Sequence, residues 1–178
     1  MVISNARIMM LLQLIILLAI STNGCVAQIS TEQNISQARE FIEQFYNWYP
    51  EASLPNGPKM VTWGTIAQDP DGVFSPELSR MLLNDIANKK ANSGYVVGLE
   101  FDPLLNAQDI CDNYVVRNIA VVEDAFRGDI WADCGQETFG DHPLLTVEVI
   151  KHDQRYYFSN FYYPNRSVDL VTLLERIN

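Results

Sequence analysis

The chain has 178 residues, with 22 acidic and 12 basic side chains and a formal net charge of −10. At 48% hydrophobic and 19% charged residues it holds too much apolar material for general disorder. Its acidity argues against neutralising nucleic-acid phosphates, so no nucleic-acid partner is expected.

Residues 1–27 read as a signal peptide. Arg7 is the only charged side chain before Glu32, and Ile8 to Ile20 form an apolar run broken only by Gln13. A basic start, a short apolar core and a small-residue exit make the layout of a secretory leader. The run is short for a membrane span of about 20 residues. Cys25-Val26-Ala27 before Gln28 suits an ordinary signal peptidase, which is the expected cut. Gly24-Cys25 also resembles the end of a lipoprotein box, with Thr22 where Leu is usual. Only that second route, lipidation at Cys25, would tie the chain to a membrane. The expected localisation is periplasmic or secreted.

The ordinary cut leaves Cys111 and Cys134. An even pair in an exported chain reads as a disulfide. It would close a loop of roughly two dozen residues, worth about 3 kcal/mol. Buried free thiols and thiol chemistry are the alternatives. No C-x-x-C is present, and neither His142 nor His152 stands at ligand spacing from a Cys, so no metal is expected.

Residues 28–35 are polar and read as a flexible lead-in, with a single α+β domain over 36–178. Ala38, Phe41, Ile42, Phe45, Tyr46 and Tyr49 recur at helical steps, with Ser36 as the cap and Pro50 as the end. Met60 to Ala67 is ambiguous between a short strand and irregular structure. Asp69-Pro70-Asp71-Gly72 is a turn signal. Ser75-Pro76-Glu77 opens a helix with Leu78, Met81, Leu82 and Ile86 as its buried stripe, and Lys89 and Lys90 suit its end.

Tyr95 to Leu99 reads as a short strand or turn. Then the period changes to two. Strands are expected at Tyr114–Glu123, Asp129–Asp133, Leu144–His152 and Arg155–Tyr162, with Asp153-Gln154 as a turn. Ser167 is the expected cap of a closing helix carrying Leu170, Leu173, Leu174 and Ile177. Helices followed by an antiparallel meander predict α+β: N-terminal helices packed on a curved antiparallel sheet, with a closing C-terminal helix.

Four stretches carry a family resemblance. They are A-R-x-F-I-x-x-F-Y-x-W-Y at Ala38–Tyr49, S-P-E-L-S-R-M-L at Ser75–Leu82, F-D-P-L-L-N-A-Q-D at Phe101–Asp109, and a final L-x-x-L-L helix. Together they resemble the bacterial envelope proteins catalogued as domain of unknown function 3828, over most of residues 36–178. The resemblance implies a curved sheet wrapped around helices, like the cystatin and nuclear-transport-factor-two cone. It implies no activity. Tyr157-Phe158-Ser159-Asn160 departs from the Trp-x-Ile-x-Asp expected there.

No phosphate loop, nucleophile elbow or H-E-x-x-H is present, so no catalytic residue or cofactor is expected. The best candidate for binding is Phe101, Asp102, Asn106, Gln108 and Asp109, whose polar groups can converge on a ligand. The same residues suit turns, where they bond the local backbone. Asp102, Asp109 and Asp112 lack the EF-hand spacing. Trp48 lies off the apolar stripe and can line a groove. The expected role is an exported, non-catalytic binding or accessory module of the cell envelope, with an envelope protein or a small ligand as partner. A periplasmic immunity or inhibitor protein is the alternative. A hydrolase using Asp102 and Asp109 ranks below both.

Overall fold

The computed structural model describes residues 31–54, 60–92, 98–107, 110–111, 113–134 and 141–177. Two compact units are distinguished, Met1–Gln37 and Ala38–Asn178. In the first, the described residues 31–37 are helical. The second is an α+β unit whose helices accompany a five-stranded antiparallel sheet.

Helix α1 occupies residues 31–52. It starts ahead of Ser36, so helix reaches into the segment expected as a lead-in. It also runs past Pro50, whose fixed φ fits a helix although it donates no N–H. From Ala38 onward the expected apolar face is buried: Ala38, Ile42, Phe45, Tyr46 and Tyr49.

The ambiguous stretch after it is a helix, α2 (Trp63–Ala67). Thr62 and Thr65 form a reciprocal capping box there, which satisfies two N–H groups that a short helix leaves bare. The Asp69–Gly72 turn closes through Gly72 N–H to the Asp69 carbonyl at 3.0 Å. Helix α3 (Pro76–Ala91) has Ser75 as its cap, Pro76 in the first turn, Glu77 beside it and Lys89 and Lys90 at the end. Leu78, Met81 and Leu82 are buried as expected, and so is Asp85.

The sheet is a plain meander, β1 (Asn113–Val122), β2 (Ala125–Asp133), β3 (Leu145–His152), β4 (Arg155–Tyr163) and β5 (Val168–Asp169), each paired antiparallel with the next. The β3–β4 turn places both Asp153 and Gln154 at positive φ, the backbone of a tight hairpin turn. A bulge in β1 sits between Arg117 and Ala120, with Asn118 at φ 49°. A second lies opposite Glu148 and Val149. Such insertions bend a sheet.

The two edges differ. Along β4, Phe158 also pairs with the segment before α3: Ser75 N–H reaches the Phe158 carbonyl at 2.9 Å and Phe158 N–H the Val73 carbonyl at 2.8 Å. Strand β1 pairs only with β2 among the described strands. Ile130 of β2 directs its carbonyl to Leu144. Its cross-strand partner Val116 therefore turns its own carbonyl to the outer edge, where the Arg39 guanidinium binds it at 3.1 Å.

The core lies between α1 and one sheet face. Ile130, Leu145, Val147, Val149, Phe158 and Phe161 are fully buried there. Phe45 packs edge-on and Phe41 tilted against Phe158, each at 4.9 Å between ring centroids. Gly128 makes the close approach possible: a Cβ there would stand 3.1 Å from the Ile42 Cδ1.

Ser167 does not cap the closing helix, α4 (Leu170–Ile177). It sits at φ 49° after a 3-10 turn (Pro164–Arg166). Asp169 takes the role instead, accepting from Thr172 N–H at 3.0 Å and Thr172 Oγ1 at 2.7 Å. Burial acts to raise the Asp169 carboxyl, but the bonds from Thr172 and Asn160 outweigh it and hold the pKa down. Cys111 and Cys134 form a disulfide across the open end of the β1–β2 hairpin, next to the Asn113–Asp133 pair. Among the described residues no helix is long and apolar enough to cross a membrane.

Candidate functional site

The Phe101–Ala107 segment folds into a small loop closed by Asp102 N–H to the Ala107 carbonyl at 3.2 Å. Asp102 organises it. Its Oδ1 accepts from Leu104 N–H at 2.8 Å and Leu105 N–H at 3.2 Å. This is the turn-forming habit of an Asp, with Pro103 setting the backbone direction. Its Oδ2 accepts from the Tyr49 hydroxyl at 2.6 Å. Leu104 and Leu105 are thereby driven into the core, both fully buried.

Three more tyrosines surround the loop. Tyr46 donates to the Leu104 carbonyl at 2.8 Å and Tyr163 to the Pro103 carbonyl at 2.9 Å. Tyr114 accepts from Cys111 N–H at 3.0 Å and so links the loop's surroundings to the disulfide. Burial pushes the Tyr46, Tyr49, Tyr114 and Tyr163 hydroxyls above their ordinary pKa, and the Asp102 charge adds to the rise in all four. They stay protonated. Burial also raises the Asp102 carboxyl, against the pull of Tyr49, Leu104 and Leu105.

Asn106 sits at φ 49°, a conformation Asn tolerates better than most residues. Its Nδ2 donates to the Leu144 carbonyl at 3.0 Å, while its Oδ1 is buried without a partner among the described residues. Phe101 lies edge-on to Tyr163 at 5.6 Å, with the Arg166 guanidinium 3.9 Å above its ring. Trp48 is 48% exposed and touches Phe45 and Tyr49 at 6.1 Å. Gln108, Asp109 and Asp112 lie outside the described residues. The fold thus brings Phe101, Asp102 and Asn106 into one loop, with Trp48 behind Tyr49 on the outside. Both Asp102 oxygens are engaged by the protein itself, which leaves this carboxylate poorly placed to meet a ligand.

A second feature has the opposite character. A trough of about 530 Å³ opens between the first turn of α3 (Ser75 to Leu78), the end of β3, Tyr157 and Ser159 of β4, and Val171. A neighbouring one of about 480 Å³ runs along the other side of α3, past Arg80 and Leu83. Pro76 and Tyr157 line both and form the ridge between them. No protein-family model matches the chain, and neither a curated protein nor a solved structure matches it.

The site is therefore read from its own chemistry. Among the described residues, no group of three His, Cys, Asp or Glu could hold a metal ion. The tyrosine partners of the Asp102 loop have no local motif, although a signal for two of them exists. Tyr46 and Tyr49 lie on the buried stripe, and a buried phenol must find an acceptor. The trough had no such signal, because its lining comes from separate segments that meet only in the fold.

Proposed function

We propose that this chain is an exported, non-catalytic binding or accessory module of the cell envelope, working in the periplasm or as a secreted protein. The observation that carries the reading is the open trough beside the Pro76–Tyr157 ridge. An apolar groove with a few polar groups at its rim is a binding shape. The Asp102 loop, by contrast, turns its polar groups inward. The disulfide supports the choice of compartment, since such bonds persist in oxidising surroundings. The leader-like residues 1–27 support export. Kinship with the domain of unknown function 3828 proteins belongs to the same proposal and rests on the Phe101–Asp109 motif.

Tyr157→Ala tests this reading. It removes the ridge without touching the core, because Tyr157 is only half-buried. Wild-type protein should retain a specific protein or small ligand from envelope extract, detected by pull-down and native mass spectrometry. Tyr157→Ala, with an unchanged circular dichroism spectrum, should lose it. Retention unaffected by the substitution, or no specific capture by the wild type, overturns the proposal.

A further inference from the structure

Asp85 lies on the buried stripe of α3 and is fully buried. Its compensation is thin. Oδ2 accepts from Leu99 N–H at 3.5 Å and faces Lys89 Nζ at 3.8 Å. Among the described residues Oδ1 is buried without a hydrogen-bond partner. Lys89 gives its ammonium to the Leu99 carbonyl and lies 5.8 Å above the Trp63 ring. Gly98, at φ 83°, packs so closely that a Cβ would collide with Asp85 Oδ1 and Lys89. Helix α2 (Trp63–Ala67) contributes no titratable side chain, and Glu100, Glu175 and Arg176 are exposed. Among the described residues Lys89 is thus the one charged group acting on Asp85. A buried carboxylate with one bare oxygen and two long contacts carries a desolvation cost that protonation removes.

We propose that Asp85 is an acid-tightened latch: protonating it strengthens the grip of α3 on Gly98 and Leu99, at the entry to the Asp102 loop. Burial pushes the Asp85 carboxyl above its ordinary value of 3.8, against the pull of Lys89 and Leu99. The closed latch therefore holds a proton more tightly than the opened one. Its added stability is full below 3.8 and is lost as the pH rises through the native pKa. This is the reverse of a carboxylate whose pKa the fold lowers, which weakens in acid; here burial outweighs the Lys89 ion pair.

Hydrogen exchange at the Leu99 amide of the full chain tests the latch, since opening exposes that N–H and Asp85 together. Protection, corrected for intrinsic exchange, should rise as the pH falls. The rise should lie between the opened and closed pKa values, with one proton's linkage, about tenfold per pH unit, as its ceiling. In Asp85→Asn this pH dependence should vanish. The same dependence in Asp85→Asn, or wild-type protection that falls in acid, overturns the proposal. Should Asp85→Asn fail to fold, the carboxyl carbon resonance of wild-type Asp85 decides. Titration above the ordinary aspartate value supports the latch, and titration at or below it overturns it.

Discussion

Tyr49 sits on the buried face of α1, yet its hydroxyl crosses to Asp102, 53 positions along the chain. Tyr49→Phe keeps the ring packing and removes that one donor. A hydrogen bond to a charged group contributes about 1.5–3 kcal/mol, so the urea midpoint at pH 7 should fall by an equivalent amount. The loss should shrink in acid, because a neutral Asp102 needs the donor less. An unchanged midpoint at pH 7 would show that the loop does not depend on this bond. Asp102 and Asn106 also mark how far single residues can be read. Their types announce a turn and a ligand site equally well. What separates the two readings is a set of partners 38 to 60 positions away: Tyr49, Tyr46, Tyr163 and Leu144. No local pattern encodes those meetings.

At the scale of elements, the contact of α1 with the sheet turns on Gly128. A valine there would bring its Cβ to 3.1 Å from the Ile42 Cδ1 and 3.5 Å from the Ile119 Cγ1. Overpacking of this kind costs about 1–3 kcal/mol. Gly128→Val should lower the thermal midpoint, and adding Ile42→Val should recover part of the loss in a double-mutant cycle. Strict additivity would mean that the two sites do not meet. Strands β1, β3 and β4 are legible because alternation survives one buried face, whereas β2 is legible only over Asp129–Asp133 and the two-residue β5 not at all. Leu145, Val147 and Val149 point inward and declare it. Helix α2 was not legible, because a five-residue element is too short to show a helical period. The closing helix was found but its cap misplaced. Ser167 and Asp169 are both good cap residues, and the 3-10 turn before them shifts the start.

At the scale of the whole molecule, the disulfide joins residues 23 positions apart and holds one end of the sheet. Reduction should lower the unfolding free energy by about 3 kcal/mol. Comparing urea curves with and without reductant checks this, and coincident curves would show the link to be idle. The cysteine pairing is readable because Cys111 and Cys134 are the two cysteines outside the leader-like residues 1–27. The trough was not, since Ser75, Ile150, Tyr157 and Val171 become neighbours only once the meander has closed against α3.

The bulge in β1 has a consequence for life in a crowded solution. A strand bonded on one side only is an invitation to any other extended chain. Here the invitation is cut into two short runs, Asn113–Arg117 and Ala120–Val122, with Arg39 seated on the Val116 carbonyl in the first. Among the described residues, this edge offers a neighbouring molecule no straight, unbroken row of donors and acceptors to copy. The irregularity at Asn118 that bends the sheet also breaks the edge at which it could grow.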